Sequence, residues 1–145
     1  KICETDSSVA YKDFAHSPSK RKATVHAVKS QFPDRKLVAC MELHTFSSLT
    51  KSFLPQYENA MAEADTAFVY FNPEVIKHKR LEAFSVDDVR KAFGGDNLTV
   101  FCDSAELQKT LRQIDFHDKT LLMMTSGNFD GVDIIGFSKE LLNIK

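Results

Sequence analysis

Four near-continuous apolar runs constrain this chain more than anything else in it. Residues 36–43 read KLVACMEL, 66–71 read TAFVYF, 98–102 read LTVFC and 120–125 read TLLMMT. None alternates cleanly between apolar and polar positions, so each predicts a strand covered on both faces. A shorter run, SVAY at 8–11, predicts one more strand. Both faces of such a sheet must be covered by further layers.

The segments between the runs have the period to supply those layers. Phe53, Leu54, Tyr57, Ala60, Met61 and Ala64 stand at offsets 0, 1, 4, 7, 8 and 11, the stripe of a helix with one buried face. Ser17 and Pro18 suit the N-cap and first position of another helix. Ser85 with Asp88 forms a capping-box pattern ahead of Val86, Val89 and Phe93, and Gly94-Gly95 closes that helix. Asp103 with Glu106 opens a helix whose Leu107, Leu111 and Ile114 point inward, and a short last helix is expected at 138–144. Strand alternating with helix over 145 residues predicts an α/β fold. The expected architecture is one domain, 1–145, a three-layer Rossmann-like sandwich around a mostly parallel sheet of five to six strands.

Charge and cysteine usage narrow the function classes. A net charge of −1 argues against a general nucleic-acid or acidic-membrane partner, and Lys20-Arg21-Lys22 and Lys77-His78-Lys79-Arg80 read as solvated faces. Cys3, Cys40 and Cys102 have neither metal-ligand nor redox spacing. Cys40 and Cys102 lie in apolar runs and are expected to be buried, reduced thiols, as in a cytoplasmic protein. No signal peptide and no membrane-length apolar run is visible. The opening KICETDSSVAYK lacks an initiator Met and reads as a piece of a larger protein. The twelve Phe are expected in the core.

In a parallel α/β sheet, ligands bind where loops leave the carboxyl ends of the strands. Three such loops carry unusual chemistry. KDFAHSPSK (12–20) places Asp13 and His16 just before a helix start with Lys20 nearby, a natural anion site; Asp13 suits ribose hydroxyls or a metal-bound water. Equally, Asp13 ends a strand and His16 merely sits in the turn. ELHTFSSLTKS (42–52) offers Glu42, His44, Thr45, Ser47 and Ser48. TSGNFDGVD (125–133) offers Ser126, Asn128 and Asp130, with Gly127 suited to a left-handed turn and close backbone approach to a ligand. His26 reads as a surface or packing residue, and His78 and His117 as loop residues without partners. The chain has no GxxxxGK[ST] phosphate loop, no GxGxxG and no GxSxG. From residue types alone, Asp13, His16 and His44 also suit a Zn²⁺ or Fe²⁺ site in a small metal-dependent hydrolase. A non-catalytic, receiver-like module is a further alternative, but Asp13 lacks the acidic neighbours a phosphoacceptor needs.

Taken in order, YKDFAHSPS, ATVHAVKSQFPDRKLVACMELHTFSSL and LLMMTSGNFDG resemble the C-terminal domain of the Mur ligases, the ATP-dependent amide-forming enzymes of bacterial peptidoglycan synthesis. Asp13-Phe14-Ala15-His16-x-Pro18 is similar to that family's Asp-Tyr/Phe-Ala/Gly-His-x-Pro signature. The alanine-adding branch usually carries a second His after the first and a PHRYTR-like loop. Here Ser17 and LHTFSS stand instead, so Thr45 and Ser48 replace its two arginines and Leu43 its proline. MMTSGNFDG is closer to the MSNGGFGG of the branch that attaches L-alanyl-γ-D-glutamyl-meso-diaminopimelate during peptidoglycan recycling. The resemblance implies a third domain that closes over a cleft formed by N-terminal and central domains. ATP and Mg²⁺ would be held mainly by the central domain, so the isolated domain is expected to be inactive. The muramate carboxylate of UDP-N-acetylmuramate would be phosphorylated and the acyl phosphate attacked by the incoming amine. Asp13 would lie near the ribose, and His16 near the phosphates and metal, both with catalytic weight; Lys20 would also lie at the nucleotide. His44, Thr45, Ser48, Ser126, Asn128 and Asp130 would receive the amino acid, or the tripeptide favoured here, with no metal bound by this domain's own residues.

Overall fold

The computed structural model describes residues 1–14 and 17–144. Its strands are β1 (Cys3–Glu4), β2 (Val9–Asp13), β3 (Lys36–Leu43), β4 (Thr66–Phe71), β5 (Leu98–Phe101) and β6 (Lys119–Met124). The helices are α1 (Pro18–Gln31), α2 (Pro73–His78), α3 (Val86–Phe93), α4 (Ser104–Arg112) and α5 (Ile134–Leu141), with a 3₁₀ helix at Lys51–Tyr57. The sheet has the order β1-β2-β6-β3-β4-β5. Only the β1–β2 pair is antiparallel. The expected three-layer α/β fold with a mostly parallel sheet is therefore present.

Alternate residues of the central strands feed two separate apolar layers, as the pleat requires. Leu37, Ala39, Met41 and Leu43 of β3 pack with Val25 and Val28 of α1, Leu54 and Tyr57 of the 3₁₀ helix, Ile76 of α2, and Val89 and Phe93 of α3. Val38 and Cys40 of the same strand join Leu107 and Leu111 of α4 and Phe137 and Leu141 of α5 on the other face. This double coverage explains why the runs read as continuously apolar.

Local capping signals hold. Ser17 Oγ accepts from Lys20 N at 3.3 Å, Ser85 and Asp88 form the reciprocal box, and Asp103 caps α4 through Ala105 N. Three expectations are corrected. The stripe from Phe53 to Ala64 is not an α-helix: Pro55 removes an N–H and crowds the preceding turn, and Asn59 adopts φ 61°, so the chain forms a 3₁₀ helix and then turns. Leu54, Tyr57, Ala60, Met61 and Ala64 are nonetheless buried, so the periodicity reported the buried face correctly. The last helix begins at Ile134, not 138, capped by Asp133, whose Oδ1 accepts from Gly136 N at 3.2 Å; a glycine in the first turn weakens the helical signal. Cys102 is exposed, because β5 is an edge strand that ends at Phe101.

His26 on α1 is exposed and faces Glu63, with Nδ1 2.8 Å from the carboxylate. His117 does have a neighbour, Asp118, at 3.3 Å. Among the described residues, no helix is long and apolar enough to cross a membrane.

Candidate functional site at the carboxyl edge

β2, β6 and β3 are consecutive in the sheet and point the same way, so the loops after Asp13, Met124 and Leu43 leave it side by side. Asp13 is level with Met124, and Thr125 N donates to Asp13 O at 3.0 Å. The chain after β2 and β3 turns toward the layer containing α1. The chain after β6, between them, turns to the layer containing α5. Adjacent strand ends send their chains to opposite faces, the arrangement at which open parallel sheets commonly bind ligands. The loops led by Asp13, His44 and Ser126 thus gather along one rim.

Beneath the rim is a buried polar framework. Arg21, on the inward face of α1, is fully buried and donates from Nη1 to Glu42 O at 2.9 Å. Burial draws this guanidinium below its ordinary pKa, opposed by Tyr57, Glu42 and Asp13. Glu42, in the penultimate position of β3, is 4% exposed. Its Oε1 accepts from Thr125 Oγ1 at 2.5 Å and from Phe129 N at 2.9 Å. Thr125 Oγ1 in turn accepts from Gly127 N at 2.8 Å. Glu42 Oε2 lies 3.7 Å from His44 Nδ1, on a ring that is 46% exposed.

The first loop provides Asp13, whose Oδ2 accepts from Thr24 Oγ1 at 2.5 Å. Phe14 follows, 61% exposed, with Lys12 Nζ 4.2 Å from its ring centroid. His16, expected near the phosphates, lies outside the described residues. Lys20 is exposed, while its backbone N–H is already occupied by Ser17. A cavity of about 440 Å³ lined by Ser17, Pro18, Lys22, Phe53 and Gln56 adjoins this helix start.

The second loop turns tightly. Thr45 Oγ1 donates to Ser48 Oγ at 3.0 Å and Ser48 Oγ donates to Thr45 O at 3.0 Å, so Ser48, 1% exposed, holds the turn from inside. His44, Phe46 and Ser47 remain exposed.

In the third loop the left-handed residues are Phe129 (φ 54°), Asp130 (φ 67°) and Gly131 (φ 89°), not Gly127. Gly127 serves a close approach instead, to the chain's own side chains: a Cβ there would lie 3.0 Å from His44 Cδ2 and 3.2 Å from Glu42 Oε1. Asn128 Oδ1 accepts from Gly131 N at 2.8 Å, closing the turn. Asp130 Oδ2 accepts from Tyr70 Oη at 2.8 Å and Asn72 Nδ2 at 2.5 Å, tying the loop to the end of β4. Burial, and then Asp130, raise the Tyr70 hydroxyl well above its ordinary pKa, so it stays a donor. Ser126 Oγ is buried and has no hydrogen-bond partner among the described residues.

Of the residues expected on the rim, His44 and Asn128 are exposed on it, Asp13, Thr45 and Ser126 are partly covered, and Asp130 anchors its loop. Arg21, expected on a solvated Lys20-Arg21-Lys22 face, is instead fully buried, because its helix turns that position toward the sheet. Thr24, Tyr70, Asn72 and Thr125 were not singled out from the sequence. Glu42 was legible as the one charge inside an apolar run. Among the described residues, no group of three or more His, Cys, Asp or Glu is placed to hold a metal ion. Asp13 and the exposed Lys20 place a carboxylate and a cation near the start of α1.

No family model matches the chain. Among curated proteins, the UDP-N-acetylmuramate–L-alanine ligase of Ligilactobacillus salivarius is 28% identical over 116 residues, 80% of this chain and 25% of that protein. The enzyme of the same name from Lactobacillus delbrueckii subsp. bulgaricus is 40% identical over 62 residues, 43% of this chain and 14% of that protein. The chain thus spans about a quarter or less of the length of these relatives. Among solved structures, the murein peptide ligase of Psychrobacter arcticus superimposes with a TM-score of 0.61 at 19% identity, covering 93% of this chain and 27% of that one. A domain from a Haemophilus ducreyi protein taken for a UDP-N-acetylmuramate:L-alanyl-γ-D-glutamyl-meso-diaminopimelate ligase gives 0.58 at 20% identity, covering 93% and 89%. By sequence the chain is a relative of the UDP-N-acetylmuramate–L-alanine ligases and by fold a neighbour of these ligase domains, so the Mur ligase resemblance read from its motifs is borne out.

Proposed function

We propose that this chain is the third, substrate-closing domain of a larger ATP-dependent ligase that joins an amine to the carboxylate of UDP-N-acetylmuramate. The observation that carries the reading is the single rim formed by the loops after β2, β6 and β3, which matches the positions of the family-like motifs. Among the described residues, Phe14, Phe46 and Ile135 are the large apolar side chains that stand exposed, at 61, 60 and 55%. Phe14 and Phe46 follow the carboxyl ends of β2 and β3, whereas Ile135 lies in the first turn of α5. A rim of that kind suits closure onto a neighbouring domain, which would cover Phe14 and Phe46.

The chemistry asked of this domain is positioning. The muramate carboxylate takes the γ-phosphoryl group of ATP, releasing ADP; the amine nitrogen then attacks the acyl carbon and phosphate leaves. ATP and Mg²⁺ supply the phosphoryl group and its charge neutralisation, chiefly from the central domain. This chain's part is to bring Asp13 and His16 toward the nucleotide, and His44, Thr45 and Ser126 toward the amine-bearing substrate, only when closed. Ser48 and Asp130 act by shaping their loops.

For the amine we favour the tripeptide L-alanyl-γ-D-glutamyl-meso-diaminopimelate over L-alanine. Thr45 and Ser48 stand where the alanine-adding branch carries arginines, and with Ser48 buried in its own turn neither position offers a cation to a small amino acid's carboxylate. The test uses the full-length protein with UDP-N-acetylmuramate, ATP and either amine, following phosphate release. Turnover with the tripeptide at least tenfold above L-alanine is expected. The reverse preference would assign the alanine branch, and no turnover with either would overturn the ligase reading. Replacing Asp13 or His16 by Ala should depress ligation sharply without unfolding the domain.

A further inference from the structure

Glu42 has a geometry that no simple strand residue needs. It occupies β3 but its carboxylate is directed into the loop after β6, bridging positions 83 and 87 residues away in sequence. Oε1 collects the Thr125 hydroxyl and the Phe129 N–H, and Oε2 faces the His44 imidazole at 3.7 Å. Gly127 lies between, close enough that a Cβ would press on both His44 and Glu42. The backbone carbonyl of Glu42 is itself held by buried Arg21 of α1. One buried side chain therefore bridges the loop after β6, at Thr125 and Phe129, to the His44 ring after β3.

We propose that Glu42 is a positioning residue for the incoming amine-bearing substrate: through Thr125, Phe129 and Gly127 it locks the loop after β6 against the His44 ring, so that two loops present one preformed surface. This rests on the ligase reading for its kinetic consequence but not for its structural one. A binding surface assembled from two loops loses affinity when the loops move independently, because their ordering must then be repeated on each binding event. The nucleotide side of the rim, at Asp13, is not reached by the carboxylate of Glu42 in any of these contacts. The backbone bond from Thr125 N to Asp13 O does not depend on the Thr125 hydroxyl, so loosening should act mainly on the amine substrate and far less on the nucleotide.

Kinetics of the full-length protein test this. Glu42→Ala is expected to raise KM for the amine substrate about 10- to 100-fold, the scale for hydrogen bonds to a charged group, with KM for ATP within about twofold of wild type. Glu42→Gln keeps an oxygen acceptor in the same place and should restore the amine KM to within roughly threefold. Because Glu42→Ala removes a buried group and can fail to fold, Thr125→Val provides a milder cut at the same bridge, with an expected rise of about 3- to 10-fold in the same constant. An unchanged amine KM in folded Thr125→Val, equal rises for both substrates, or Glu42→Gln as impaired as Glu42→Ala would each overturn the proposal. Nuclear magnetic resonance of the 145-residue chain separates the two readings. Thr125→Val should shift the His44 ring and the Phe129 amide together, even if the full-length protein proves not to be a ligase. Movement of one without the other would refute the coupling itself.

Discussion

Replacing Gly127 by Ala tests which side of the His44–Glu42 pair is rigid. The added Cβ would meet His44 Cδ2 at 3.0 Å, His44 Nε2 at 3.1 Å and Glu42 Oε1 at 3.2 Å. Optimal carbon contacts lie at about 3.5–4.0 Å, so a shift of roughly 0.5 Å is needed. The Glu42 side chain is 5% exposed and holds two donors, while the His44 side chain is 46% exposed. The imidazole should therefore yield. Overpacking a rigid site costs about 1–3 kcal/mol, but a yielding partner keeps the cost at the low end. Restricting the unfolded chain returns about 0.4–1 kcal/mol, because Gly127 lacks the positive φ that would strain an alanine. The net expectation is a loss of about 0–1 kcal/mol, a fall of no more than roughly 0.5 M in urea midpoint for a slope near 2 kcal/mol/M. The His44 ring resonances should move clearly in the same variant. A loss above about 3 kcal/mol would mean that Glu42 or the backbone gave way, and unmoved ring resonances would deny the contact.

Other substitutions and conditions probe separate parts of the molecule. Ser85→Ala removes one half of the α3 capping box and should cost about 1 kcal/mol in urea unfolding. At Asp65, burial raises the carboxyl pKa, but Lys29, the Leu37 N–H and Lys36 outweigh it and hold the net value below the ordinary range. A depressed folded pKa stabilises above the unfolded value and that contribution fades as pH falls through the folded one. Asp65→Asn should accordingly cost about 1 kcal/mol at neutral pH, with the difference from wild type closing in acid when unfolding is followed against pH. Burial pushes the Cys40 thiol far above its ordinary pKa, so Ellman's reagent should label Cys102 in the native chain and Cys40 only after denaturation. Phe46→Ala should leave the chain's own stability within about 0.5 kcal/mol, as its ring is exposed. If closure covers Phe46, the same change should lower ligation by the full-length protein, which steady-state kinetics would read.

What the sequence determined alone is what short-range chemistry determines. Continuous apolar runs announced β3, β4 and β6 because both faces of those strands are covered, and Ser17, Ser85 and Asp103 announced helix starts because a cap needs only the next three residues. The order of loops along the chain also exposed the family-like motifs. The same locality explains the misses: at 53–64 a correct buried stripe hid a 3₁₀ helix broken by Pro55, and Cys102 looked buried because its run could not reveal an edge strand. Only the tertiary structure decided that β6 inserts between β2 and β3, which sets the three polar loops side by side. It alone turned Ser48 inward and gave Asp130 to Tyr70 and Asn72. It also joined Glu42 to Thr125, 83 residues away, a pairing that depends on strand order and pleat direction rather than on any neighbour in the chain.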